Sequence, residues 1–112
     1  MSHAKKFKLR PEEIASLVAG GGGWCLATDR VVVDGARIGY MYREEPKGGG
    51  DSGWRFFAGD EDDGYMRDNG NHGVYELNTV ANYDPAVLPY LSSAVGSAFD
   101  RVAEKLFAQV EK

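Results

Sequence analysis

The chain has 112 residues, 43% of them hydrophobic, and a formal net charge of −4. This length supports one domain with a real core, and the apolar content excludes general disorder. The acidic balance argues against nucleic acid as a main partner, the single cysteine excludes a disulfide framework, and the apolar runs are too short for a signal peptide or a membrane span, so the expected location is the cytoplasm.

Met1 to Leu9 is basic and is expected to be flexible. Pro11-Glu12-Glu13 reads as a helix opening, with proline in the first turn and acids at the positive end of the dipole. Ile14, Leu17 and Val18 fall at i, i+3 and i+4 and make one apolar stripe. The glycines from Gly20 to Gly23 should end this helix and act as a joint. They follow a helix and precede a strand, whereas a phosphate cradle follows a strand and precedes a helix.

Trp24 to Thr28 reads as a strand, and Val31 to Val33 as a second, with Asp34-Gly35 as a hairpin turn after it. Arg37 to Arg43 makes a third strand, with Ile38, Tyr40 and Tyr42 on one face. Lys47 to Ser52 is a glycine-rich loop.

The stretch from Asp51 to Asp63 stands out. Trp54, Phe56 and Ala58 alternate with Arg55 and Phe57, so both rows carry an aromatic. Such a strand is expected near the middle of a sheet, buried on both faces and antiparallel to its predecessor. Asp60, Glu61, Asp62 and Asp63 follow at once. Adjacent carboxylates repel, so this run wants solvent or a cationic partner. Arg55 and Arg67 are the only cations close in sequence, and the loop is expected to stay solvated.

Gly64 to Gly73 is a polar surface segment. Val74 to Leu77 is too short to divide between strand and helix entry. Asp84 can cap a short helix opened by Pro85 and limited by Pro89, near residues 85–91. Phe99, Val102, Ala103, Leu106, Phe107 and Val110 fit one helical face, which predicts a C-terminal helix from about Ser97. The expected fold is a single α+β domain over residues 1–112, mainly an antiparallel sheet, with an N-terminal helix, the short helix and the C-terminal helix.

No catalytic constellation emerges. A Cys–His pair needs a thiolate with a base in reach. Cys25 lies in an apolar strand, His3 in the N-terminal segment and His72 in a polar loop. Asp60, Asp62 and Gly64 invite comparison with a calcium loop, but the glycine comes one place early and Asn71 stands where the bidentate glutamate belongs. Glu44, Glu45 and Asp60 could meet across strand ends as a carboxylate pair, which is also how ordinary strand ends look. No metal or cofactor is implied. Tyr65, Tyr75, Tyr83 and Tyr90 all follow the acidic run. Tyrosine is favoured at interfaces, although such rings also cover sheets and bond locally.

Tyr40-Met41-Tyr42-Arg43-Glu44-Glu45-Pro46, Asp51-Ser-Gly-Trp-Arg-Phe-Phe-Ala-Gly-Asp-Glu-Asp, Val74-Tyr-Glu-Leu-Asn-Thr-Val-Ala-Asn-Tyr-Asp-Pro and Val95-Gly-Ser-Ala-Phe together resemble a bacterial domain long catalogued as of unknown function. Gene neighbourhood assigns that domain to the immunity proteins of polymorphic toxin systems. The resemblance covers roughly Trp24 to Phe99. It implies an α+β fold and a non-catalytic role, the binding and neutralising of a protein toxin. Relatives often have a tail that reads more like a strand pair than a helix. The expected contact is the acidic loop, Asp60, Glu61, Asp62 and Asp63, with Tyr65. It would plug a basic groove such as a nuclease presents. The alternative is a small-molecule-binding or regulatory domain with a pocket beside Trp24 and Trp54.

Overall fold

A computed structural model describes residues 5–111 of the chain. Six strands form one mixed sheet: β1 (Trp24–Thr28), β2 (Tyr40–Arg43), β3 (Asp51–Phe57), β4 (His72–Glu76), β5 (Ala98–Ala103) and β6 (Leu106–Val110), in the order β4-β1-β3-β2-β5-β6. Three short helices join them: α1 (Asp29–Val32), α2 (Asp63–Arg67) and α3 (Leu77–Tyr83).

The aromatic strand β3 lies inside the sheet, as the aromatics in both of its rows predict; the Trp54–Phe56 row is in the core, while on the other face Arg55 is buried and Phe57 only half-buried. It is antiparallel to β2 and parallel to β1. The sheet is therefore mixed rather than purely antiparallel, because the chain crosses from β1 to β2 and returns through β3 between them. Inside β3, Gly53 has φ +87°, and a Cβ there would stand 2.3 Å from the Glu44 carbonyl oxygen. Only glycine allows that backbone conformation and so close a neighbour.

One face of the sheet is covered. Cys25, Ala27, Met41, Trp54, Phe56 and Phe99 point to it. They pack against Val31 and Val32 of α1, Leu77, Val80 and Ala81 of α3, and Val87. Val87 belongs to a 3-10 turn over Pro85–Tyr90, capped by Asp84, whose side chain accepts from the Ala86 N–H as the sequence predicts. Burial of each valine, leucine, methionine or phenylalanine among these contributes about 1.5–3 kcal/mol relative to exposure.

Three predicted elements differ, each because a distant segment supplies what local periodicity leaves open. The N-terminal helix is absent. Pro11–Glu13 forms a single 3-10 turn, and Ile14 is already extended. Asn78 and Asn82 of α3 occupy the backbone of this segment instead. Asn78 Oδ1 accepts from the N–H groups of Leu17 and Val18, at 2.7 and 2.9 Å. Asn82 Oδ1 accepts from Ala15 N–H at 2.9 Å, and both asparagine amides donate to the Ala15 carbonyl. Side chains that satisfy backbone groups compete directly with helix hydrogen bonds.

Val31 and Val32 lie in α1 rather than in a strand, both fully buried. Asp34-Gly35 is accordingly the end of that helix and not a hairpin turn; the Asp29 carbonyl accepts from both Val33 and Asp34 N–H. Gly35 takes φ +75°, the left-handed conformation common just past helix ends.

The C-terminal residues form the β5–β6 hairpin, not a helix. A helix would hide Val102 and Leu106 together with Phe99 and Phe107. In the hairpin the phenylalanines are buried, while Val102 and Leu106 are 58% and 54% exposed. β5 pairs with the edge of β2, whose backbone groups would otherwise lack partners.

Of the segment predicted to be flexible, residues 1–4 and with them His3 lie outside the described residues. The rest is docked: Lys8 N–H donates to the Val32 carbonyl, Leu9 N–H to the Tyr83 hydroxyl, and Phe7 packs edge-on against Tyr75.

Candidate functional site

The acidic run is a structured loop. Asp60 receives Arg30 in a bidentate pair, Nε to Oδ1 at 3.0 Å and Nη2 to Oδ2 at 2.7 Å. Arg30 also reaches Asp34 at 3.1 Å. The hydrogen bond from Arg30 lowers the Asp60 pKa. The cation absent from the local sequence is thus delivered by α1. Glu61 is held by neutral donors. Oε2 accepts from the Thr28 hydroxyl at 2.6 Å and Ala58 N–H at 2.8 Å, and Oε1 accepts from Gly59 N–H at 2.8 Å. Burial opposes ionisation of Glu61, but these hydrogen bonds outweigh it and lower its pKa. Asp62 caps α2 by accepting from Tyr65 N–H at 2.7 Å. Asp63 is exposed and has no side-chain hydrogen bond or ion pair among the described residues. The Tyr65 hydroxyl is buried beside the Arg30 backbone, where burial raises its pKa. Arg55, the other expected neighbour, is fully buried and paired with the buried Asp51 and the partly exposed Glu44 at the opposite end of β3.

These bonds bear on metal binding. Asp60 is held by a guanidinium, Glu61 by three donors and Asp62 by a helix N–H, so their oxygens cannot converge on one ion. Calcium added to millimolar concentration is expected to leave the melting temperature unchanged. A rise at micromolar calcium, which a tight site requires, would show that the loop rearranges around the ion.

The uncovered face of the sheet was only partly visible in the sequence. Tyr40 and Tyr42 share that face as predicted, but Ile38 precedes β2 and is buried in the core. The Tyr42 ring stacks on Phe57 with centroids 5.7 Å apart, and Tyr40 lies 5.8 Å from Phe57 and 5.9 Å from Tyr42. Arg55 lies in the same face, its guanidinium 5.6 Å from the Trp24 ring. Arg55 donates to both oxygens of Asp51, at 3.0 and 2.8 Å, and to Glu44 at 2.7 Å. Beside the rings is an open concavity of about 370 Å³ lined by Gly39, Tyr40, Phe57, Gly59, Glu61, Met66 and Asp100. The acidic loop and the aromatic face therefore meet at Glu61. Aromatics at 40, 42 and 57 were the signal; that the core cluster forms on the opposite face is tertiary information.

The other candidate residues do not come together. Cys25 is fully buried, and burial pushes its thiol pKa up, the reverse of nucleophile activation. It pairs with Tyr75 in the sheet, and His72 stands opposite Thr28. Glu44 sits at one end of β3 with Arg55, while Asp60 follows the other end with Arg30. Trp24 and Trp54 lie on opposite faces of the sheet, so one pocket cannot border both rings. Tyr75, Tyr83 and Tyr90 have local partners: Phe7, the Leu9 N–H, and the Phe107 N–H respectively. A separate apolar cavity of about 390 Å³ is lined by Phe7, Leu9, Ile14, Val32, Tyr75 and Tyr83 among others. No helix is long and apolar enough to cross a membrane, and no group of three or more His, Cys, Asp or Glu is placed to hold a metal, among the described residues.

The architecture defines a small α+β domain that buries one sheet face and leaves the other open. The chain belongs to the Imm33 family: the immunity protein Imm33 domain matches residues 25–111. The match starts at the second residue of β1 and runs through the β5–β6 hairpin, so it includes the whole sheet but for Trp24. No curated protein and no solved structure matches the chain. Membership gives an immunity-type role.

Proposed function

We propose that this protein binds a cognate protein toxin and neutralises it by direct contact, without catalysis and without a cofactor, in the cytoplasm. The partner is read as basic, such as a nuclease with a cationic substrate groove. The observation that carries this reading, beside the family, is the anionic corner at Asp60 to Asp63. Asp60, Asp62 and Asp63 are exposed there, and the loop borders an uncovered aromatic surface through Glu61. Anionic groups facing a cationic groove steer encounter and raise the association rate. Neither nucleic acid nor a membrane has a place in this reading.

The geometry decides which variant tests it. Asp60, Glu61 and Asp62 each hold part of the fold, and loss of the Asp62 cap alone is expected to cost about 1 kcal/mol. Asp63 has no such task. Asp63→Asn is expected to leave stability within about 0.5 kcal/mol of the parent. It should slow association with the toxin encoded beside this gene while leaving dissociation nearly unchanged. Near 1 M salt, where screening extends only about 3 Å, the difference should vanish. Stopped-flow or surface-based kinetics at two ionic strengths would measure this. An unaltered association rate at low salt would remove Asp63 from the interface.

A further inference from the structure

We infer that the toxin is gripped by the open face of the sheet. A partner arginine or lysine enters the concavity between Glu61 and Asp100, against the rings of Tyr40 and Phe57. This inference rests on the immunity reading and names the surface and the chemistry of the contact.

The first argument is that the face is apolar where a solvated face should be polar. Antiparallel strands with one face in water alternate apolar and polar residues. Here the outward positions of β1, β2 and β3 carry Trp24, Leu26, Tyr40, Tyr42 and Phe57, all half-buried, around the buried Arg55. Contiguous apolar surface of this kind marks an interaction site, and tyrosine is among the residues that dominate interfaces.

The second argument is charge. The cation of this face is Arg55, already compensated by Asp51 and Glu44. Glu61 is fixed by a hydroxyl and two backbone N–H groups, all neutral, so its charge stands. Asp100 is exposed and makes no side-chain hydrogen bond or ion pair among the described residues. The concavity thus combines two uncompensated carboxylates with aromatic faces, the combination that attracts a guanidinium or an ammonium.

The third argument is preorganisation. Gly39 and Gly59 line the concavity, and a Cβ on Gly39 would stand 2.1 Å from the Ala58 carbonyl oxygen. That close backbone approach keeps the floor free of a side chain. Glu61 is locked from three directions. A site that is already formed loses little entropy on binding.

Charge also selects the occupant. A second copy of this chain carries a net charge of −4 and would bring like charge to an acid-rimmed face. A basic protein surface is complementary.

The test uses full-length protein and the purified, catalytically inactivated toxin domain encoded by the neighbouring gene. Calorimetry would compare the parent with Asp100→Lys, Tyr40→Ala and, as a loop control, Asp63→Lys. Thermal melting would confirm that each is folded. Asp100→Lys and Tyr40→Ala are each expected to weaken binding by about thirtyfold, and Asp63→Lys by only a few-fold, mainly through association. Since Tyr40 also packs on Phe57, the exposed Asp100→Asn provides a second reading and should lose about tenfold. If Asp63→Lys abolishes binding while the Asp100 and Tyr40 variants bind as the parent does, the open face is overturned and the loop reading stands. A parent that does not bind this toxin defeats the immunity reading itself, and this inference with it. A parent that sediments as a dimer dissociated by Tyr40→Ala would make the face a self-association surface and overturn the inference.

Discussion

Trp54→Ala is expected to remove roughly 3–5 kcal/mol of stability, the range for large aromatic truncations in a core. Trp54 is fully buried at the centre of β3. Its ring stacks on Phe56 at 5.9 Å, meets Phe99 at 6.3 Å and carries the Arg43 guanidinium at 5.8 Å. Its indole N–H donates to the Leu91 carbonyl at 3.1 Å, which ties the sheet to the turn after Pro85–Tyr90. Truncation leaves a cavity and an unpaired carbonyl together. Domains of this size hold about 5–15 kcal/mol in all, so the variant should melt roughly 10–20 °C lower. Trp54→Phe keeps most of the volume and should lose less. An unchanged midpoint for the alanine variant would mean that β3 is not the buried strand described.

Asp51→Asn is the second large effect, and it carries a pH signature. Asp51 and Arg55 are an i, i+4 pair on β3 with side-chain exposures of 0% and 1%. Arg55 donates to both carboxylate oxygens, and Lys47 and Gly53 N–H groups add to them. The hydrogen bonds from Arg55 hold the Asp51 carboxyl well below the usual carboxylate range, against the opposing effect of burial. A depressed folded-state pKa contributes stability above the unfolded pKa of about 3.9, and that stability fades as pH falls below it toward the folded value. Removing the charge leaves Arg55 buried with Glu44 as its remaining carboxylate. Loss of one partner of a buried pair costs roughly 3–5 kcal/mol. Urea denaturation at pH 7 and near pH 3 should show Asp51→Asn much weaker than the parent at pH 7 and closer to it at pH 3. Equal differences at both values would mean that Asp51 is not the group that titrates.

The pair and the aromatic strand also explain why the open face can hold its shape. Arg55 is anchored below the surface, with Trp24 against it and Phe57 two residues on. A partner would therefore meet a surface whose polar groups are already placed. The apolar cavity under the N-terminal segment has no such charged groups in its lining.

Much of this molecule is legible in its residues. Aromatics in both rows at 54–57 mark a strand inside the sheet, with Trp54 and Phe56 in the core and Phe57 half-buried on the other face. Tyr40-Met41-Tyr42 alternates too strictly for a helix, and Asp84-Pro85 caps a turn by local geometry alone. The quoted motifs suffice to mark the family. What local pattern left open was settled by partners far along the chain. Phe99 and Phe107 satisfy a helical stripe as well as a hairpin, and the free edge of β2 decides for the hairpin. Ile14, Leu17 and Val18 suit a helix until Asn78 and Asn82 take the backbone. Asp60 to Asp63 reads as a free anionic fringe until α1 brings Arg30 to Asp60 and β1 brings Thr28 to Glu61. The sequence determined where apolar residues and carboxylates cluster, since hydrophobicity and charge belong to each residue alone. Only the tertiary structure decided which backbone groups pair, which charges are compensated and which aromatic face stays open, because each of these depends on a neighbour that chain order does not name.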